Sequence, residues 1–84
     1  MPLRLTLLSR SYCHLCDDML AAIRSVEGGP AIDVEIIDVD ADEALARQFG
    51  EDVPVLLHRG REIARHRLDP QELRRFLAQT RPEI

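Results

Sequence analysis

The sequence predicts an α/β fold: a four-stranded mixed sheet flanked by helices, in the order β-α-β-α-β-β-α. Three observations predict it. Segments 3–8 and 32–38 alternate apolar with polar residues, the period of a strand. The stretches after them carry apolar residues at helical spacing, bounded by capping residues or by Gly and Pro. A strand–helix–strand start requires two parallel strands with a right-handed crossover, and a tight link later in the chain adds an antiparallel hairpin.

Each element has a local reason. Leu3, Leu5 and Leu7 alternate with Arg4 and Thr6, and Leu8 follows, so residues 3–8 read as a strand close to fully buried. Ser9-Arg10-Ser11-Tyr12 is a short loop. Leu15, Cys16, Met19, Leu20, Ile23 and Val26 then recur at helical spacing, which predicts a helix over about 14–27. Gly28-Gly29-Pro30 stops it, because Gly accepts a left-handed cap and Pro cannot continue a helix. Ile32, Val34 and Ile36 alternate with Asp33 and Glu35 in a second strand, 32–38. Asp40 reads as an N-cap with Glu43 completing a capping box, so a second helix is expected over about 41–49. It turns Leu45 and Phe49 inward, pairs Glu43 with Arg47, and ends at Gly50.

Val53 to His58 is a third strand with Pro54 near its start, where a missing N–H does least harm. Arg59-Gly60 supplies a tight turn into a fourth strand, 61–67. Arg65 and Arg67 alternate with His66 and are expected on one face of that strand, as solvated charges that discourage edge pairing, with a small anion-binding patch near the start of the last helix as the alternative. His58 and His66 read as surface residues at strand ends. Leu68-Asp69-Pro70-Gln71-Glu72 is a helix start: Asp69 at the N-cap, Pro70 at the first helical position, Leu68 able to staple against Leu73. The last helix is expected over about 70–80, with Leu73, Phe76 and Leu77 inward.

Eighty-four residues make one small domain, 1–84, with a modest core. With two Phe, one Tyr and no Trp, that core must be aliphatic. The net charge of −4 argues against nucleic acid or an anionic membrane as the main partner, since both need clustered cations. No apolar run approaches the roughly 18 residues of a membrane span. The first Cys arrives by residue 13 without a basic start and an apolar stretch, so the expectation is a cytoplasmic protein. No apolar stripe is left over, so a monomer is expected.

The chemistry sits in Cys13-His14-Leu15-Cys16, where the first strand hands over to the first helix. Free N–H groups and the helix dipole at such a position favour an anion, here the Cys13 thiolate, and the thiolate is the nucleophile. Cys16, three residues on, lies within reach of an intramolecular disulfide. Arg10 and protonated His14 favour the thiolate; Asp17 and Asp18 oppose it, weakened by screening. The net expectation is a Cys13 pKa below the free value of about 8.5, with Cys16 more buried and higher. The pair is a poor structural staple, because it closes a very short loop. Zinc sites need four ligands, and His14, His58 and His66 have no zinc-knuckle spacing, so no metal site is expected. Caps and turns account for Asp38, Asp40 and Asp42, and Met19 is a core filler.

These features resemble a small glutaredoxin-like protein of the bacterial kind, within the thioredoxin-fold superfamily. The resemblance rests on the first strand, on Arg10-Ser11-Tyr12-Cys13-His14-Leu15-Cys16, on the order of elements and on Val53-Pro54. It implies a thioredoxin-like fold and thiol–disulfide exchange on protein disulfides or glutathione-mixed disulfides. No bound cofactor is implied; glutathione or a reductase would supply electrons. By resemblance, Pro54 takes a cis peptide bond beside the cysteines and Val53 offers its N–H and C=O to substrate. Arg10 stands where glutaredoxins usually place a Lys that contacts glutathione. Tyr12 reads equally as a flank of a substrate groove or as a loop aromatic with a solvated hydroxyl, and His14 would tune the pair. The chain departs from the glutaredoxin pattern in two places. His14-Leu15 replaces Pro-Tyr, and Ile63 to Asp69 carries two Arg in place of Gly-Gly and acidic residues. Two other readings compete: a module holding a metal or iron–sulfur cluster, and a non-catalytic module that binds extended peptides beside Pro54.

Overall fold

The computed structural model describes residues 3–26 and 32–79. Its elements are β1 (Leu3–Ser9), α1 (His14–Arg24), β2 (Ile32–Asp38), a 3-10 turn (Val39–Ala41), α2 (Glu43–Phe49), β3 (Val55–His58), β4 (Arg61–Arg65) and α3 (Pro70–Gln79). The sheet has the order β2-β1-β3-β4. β1 runs parallel to β2, in register from Leu3 opposite Ile32 to Ser9 opposite Asp38. It runs antiparallel to β3, with Leu8 opposite Val55. The β-α-β start and the terminal hairpin thus form the predicted mixed sheet.

β1 is an inner strand and buries side chains on both faces, which is why its leucines do not simply alternate. Leu3, Leu5 and Leu7 point to one face, where Met19 and Ile23 of α1 and Leu73 and Leu77 of α3 cover them. Leu8 points the other way and packs with Val39 and Val55, under Leu45 and Phe49 of α2. Two helices on one face and one on the other make three layers. Leu5, Leu7, Leu56 and Leu73 are at most 1% exposed. Each such side chain contributes roughly 1.5–3 kcal/mol by leaving water. The core is aliphatic, as the composition requires.

The element boundaries move for identifiable reasons. Helix α1 ends at Arg24, because the N–H of Ser25 already bonds back to Ala21 and Ala22 as a cap; Gly28-Gly29-Pro30, the predicted stop, lies outside the described residues. The second helix starts later than predicted. Asp38 ends β2 and caps the 3-10 turn by accepting the N–H of Asp40 at 2.9 Å. The helix cap is therefore Asp42, whose Oδ1 accepts from Ala44 at 2.9 Å and Leu45 at 3.3 Å, and not Asp40. The Glu43–Arg47 pair forms at 2.8 Å. Strand β3 begins at Val55, after a turn closed by Val53 N–H to the Phe49 carbonyl at 3.1 Å.

The hairpin turn holds Arg59 and Gly60 at φ 51° and 81°, the left-handed pair a two-residue loop needs. Between Leu56 and Leu57 the register shifts, with Ile63 as the extra residue on β4. Strand β4 stops at Arg65 instead of Arg67. His66 adopts φ 69° and donates its N–H to the Pro54 carbonyl at 2.8 Å. That kink breaks the predicted shared face. Arg65 turns to Asp52 at 3.1 Å and Glu62 at 2.6 Å. His66 is exposed, as expected, but His58 is half-buried and sets its ring edge-on to Phe76, centroids 5.2 Å apart. Helix α3 begins as predicted: the Asp69 side chain accepts from Gln71 at 2.9 Å, Pro70 follows the cap, and Leu68 and Leu73 are both buried. Among the described residues, no helix is long and apolar enough to cross a membrane.

Candidate active site

The chemistry-bearing residues collect at the sheet edge where β1 and β2 end. Ser9 closes β1, and Arg10 leads into a turn at Ser11-Tyr12. Tyr12 sits at φ 60° and is fully exposed. A left-handed, non-glycine backbone holding an aromatic ring in water is unfavourable on both counts, a pattern that clusters at functional positions.

Cys13 follows in an extended conformation (φ −104°, ψ 104°) as the N-cap of α1. Its carbonyl accepts the N–H of Asp17 at 3.2 Å, the first helical bond. Its Sγ accepts the N–H of Cys16 at 3.1 Å, filling the place a Ser or Asp oxygen takes in an ordinary cap. The two cysteines form a disulfide, with Cα atoms 5.2 Å apart. They differ in access. Cys13 is half-exposed, whereas Cys16 is 4% exposed and part of α1's inner face. Attack from solvent, by or upon the pair, must go through Cys13. His14 and Leu15 are exposed beside it, and Asp17 and Asp18 lie in the following turn.

The Leu8–Val55 register brings Val53 and Pro54 to this same edge. The Val53–Pro54 peptide is cis, and Pro54 is buried. The backbone around it is already partly used. Val53 was expected to present both its N–H and its C=O, but its N–H is donated to Phe49. A chain pairing here meets the Val53 carbonyl, or competes with Phe49 for the amide. The Pro54 carbonyl is taken by His66.

Arg10 also differs from expectation in what it touches. Its Nε and Nη2 donate to the two carboxylate oxygens of Asp40 at 2.9 and 2.8 Å, and its Nη1 donates to the Gly50 carbonyl at 2.9 Å. The hydrogen bond to Asp40 raises the Arg10 pKa further, and Arg10 in turn holds the Asp40 carboxyl below its ordinary range. Sequence reading missed this pair, although the parallel pairing of β1 with β2 carries the signal. Once Ser9 lies opposite Asp38, residues just beyond each strand end are neighbours. The Asp52–Arg65 contact and the His66–Pro54 bond were also missed, and neither has a local signature.

A recess of about 280 Å³ opens beside the pair, between α1 and the β4–α3 connection, lined by Leu15, Asp18, Met19, His66, Arg67 and Leu68. A larger hollow of about 790 Å³ lies between β4 and α3, lined by residues such as Arg61, Glu72 and Phe76; none of the cysteine-site residues borders it. Among the described residues, no group of three or more His, Cys, Asp and Glu side chains is placed to hold a metal ion.

With this geometry in view, the likeness to known proteins is specific. The family model of the glutaredoxin-like domain (DUF836) matches residues 4–78. A structural-genomics target protein from X. campestris is 35% identical, with a TM-score of 0.76 over 92% of this chain and 99% of its own. Protein Ne2328 from Nitrosomonas europaea is 30% identical, with a TM-score of 0.77 over 92% and 93%. A thioredoxin from Halobacterium salinarum, 22% identical with a TM-score of 0.62 over 98% of this chain and 77% of its own, shares the fold. No protein with a curated description matches.

Proposed function

The chain belongs to the glutaredoxin-like domain family (DUF836), and from that premise we propose that it is a thiol–disulfide oxidoreductase whose Cys13–Cys16 dithiol reduces protein disulfides or glutathione-mixed disulfides. One observation carries the reading: the half-exposed Cys13 caps α1 through its sulfur and receives the Cys16 N–H, while Cys16 waits buried behind it. In the reduced protein the same N–H and the helix start stabilise a negative sulfur.

The reaction then runs in two exchanges. The Cys13 thiolate attacks one sulfur of the substrate disulfide. A mixed disulfide forms, and the first substrate thiolate leaves to take a proton from solvent. Cys16, losing its proton, attacks the Cys13 sulfur and expels the second thiolate. Two electrons have passed to the substrate, and the pair holds the disulfide seen in the structure. Two glutathione thiols, or a reductase dithiol, return it to the dithiol form. Glutathione is a reductant here and not a bound cofactor.

The remaining site residues take supporting roles in this reading. In this reading Tyr12 and the Val53–Pro54 segment flank a substrate chain bound at Cys13. His14, when protonated, favours the thiolate. The protein acts as a monomer in the cytoplasm, where glutathione and thioredoxin systems keep such pairs reduced between turnovers.

Single-cysteine variants test the scheme. Cys13→Ser abolishes reduction of protein disulfides. Cys16→Ser accumulates mixed disulfides on Cys13, visible as mass adducts that a reductant removes. Undiminished turnover by Cys13→Ser would refute the scheme.

A further inference from the structure

Arg10 is the permanently charged cation nearest to Cys13 along the chain, three residues before it. A cation there would ordinarily draw an anionic substrate toward the reacting sulfur. In this fold its charge is committed elsewhere. All three guanidinium nitrogens donate, two to Asp40 and one to Gly50. The planar, two-bonded Arg–carboxylate geometry is the strong form of this interaction. Topology holds the acceptor in place. Parallel pairing ends β1 and β2 together, and Asp38 accepts the Asp40 N–H to turn the chain back over that edge. Asp38 and Glu51 add further negative charge felt at Arg10. Further along the chain, Asp17 and Asp18 are exposed on α1. To bind at Arg10, a substrate carboxylate must therefore displace a tethered one.

We infer that Asp40 is a specificity-determining residue that masks Arg10 and makes the cysteine site discriminate against anionic disulfides. This rests on the dithiol reading given above. Asp40 touches neither the cysteines nor the substrate, and it acts only by occupying Arg10. Of the two substrate kinds proposed above, this ranks protein disulfides with neutral or cationic flanking groups ahead of glutathione-mixed disulfides, because glutathione is a net anion. Arg67, in the recess beside Leu15, is common to all the variants below, so its attraction cancels when they are compared.

The test measures second-order exchange rates of the reduced protein with three small disulfides at low ionic strength. Cystamine is cationic, bis(2-hydroxyethyl) disulfide is neutral, and dithiodiglycolate is anionic. Each reaction oxidises one dithiol and releases two small thiols. The neutral disulfide is the reference for every variant, so the readout is a ratio. Asp40→Asn keeps the side chain's shape and removes the charge. It should raise the anionic-to-neutral ratio about threefold over wild type, the order of a single charge–charge interaction in water at low salt. It should lower the cationic-to-neutral ratio. Adding Arg10→Gln to Asp40→Asn should abolish the gain, and 0.5 M salt should flatten it. A ratio in Asp40→Asn equal to wild type, or a gain that survives Arg10→Gln, overturns the proposal. A reduced wild-type protein that fails to exchange with the neutral disulfide overturns the oxidoreductase reading first, and this proposal with it.

Discussion

The N–H of Cys16 donates to the Sγ of Cys13 at 3.1 Å, so the nucleophile candidate is also the cap of the helix that carries its partner. One residue spacing therefore does two things. It places the sulfurs within bonding reach, and it points the Cys16 N–H at the outer one. Helix α1 takes its cap from the sulfur of that cysteine.

That arrangement predicts a low thiol pKa. In the reduced protein, Cys13 should titrate below the free value of about 8.5, because the helix start favours a negative sulfur, with Asp17 and Asp18 offsetting part of that effect. Alkylation rates against pH, read on Cys16→Ser, give the value. A Cys13 that titrates at or above 8.5 would remove the helix-start argument.

Gly50 is held by close approach rather than by an unusual backbone, since its φ is −54°. A Cβ there would run into the Ala46 carbonyl oxygen and stand 3.1 Å from the Arg10 Nη2. Gly50→Ala should destabilise the fold by about 1–3 kcal/mol, as overpacking against backbone does. Urea melts would show it as a lower midpoint at an unchanged slope.

Asp42 caps α2, so Asp42→Ala should cost about 1 kcal/mol through two lost hydrogen bonds. Glu43→Gln, which leaves the cap intact, serves as the control. Equal melting curves for Asp42→Ala and wild type would mean that α2 does not depend on this cap.

The Arg10–Asp40 pair adds a pH dependence whose sign is fixed. Its hydrogen bond to Arg10 lowers the Asp40 pKa in the folded protein. The stabilisation is therefore fully present above the unfolded carboxyl value of about 3.9 and is lost as pH falls through the lower folded value. Both side chains are partly exposed, so the contribution is small and screened by salt. The stability difference between wild type and Asp40→Asn should be flat from pH 5 to 8 and shrink below pH 4. A difference that grows on acidification would contradict the assignment.

How much of this was legible in the sequence depended on how local each cause is. The β1 and β2 strands, the α3 start at Asp69-Pro70 and the Arg59-Gly60 turn are written in neighbouring residues and appear where they were read, although Ile36, which alternates with Ile32 and Val34, is left exposed. The cysteine site was legible for the same reason, since its spacing and its place at a strand–helix junction are local. Three acidic residues, Asp38, Asp40 and Asp42, competed for one helix start. The 3-10 turn decided between them, and it forms only because β2 pairs through to Asp38. The early end of β4 was not legible, because the carbonyl that bends His66 belongs to Pro54. Nor was the engagement of Arg10, whose partner arrives thirty positions later through strand pairing.

The most direct test of the central claim is a redox titration of Cys13–Cys16 in graded glutathione buffers, quenched by alkylation and read by mass. The account predicts a reversible two-electron transition with a midpoint between about −180 and −270 mV, the span of catalytic dithiols. A pair that forms no disulfide anywhere in that range, or that forms one and does not exchange, would contradict it.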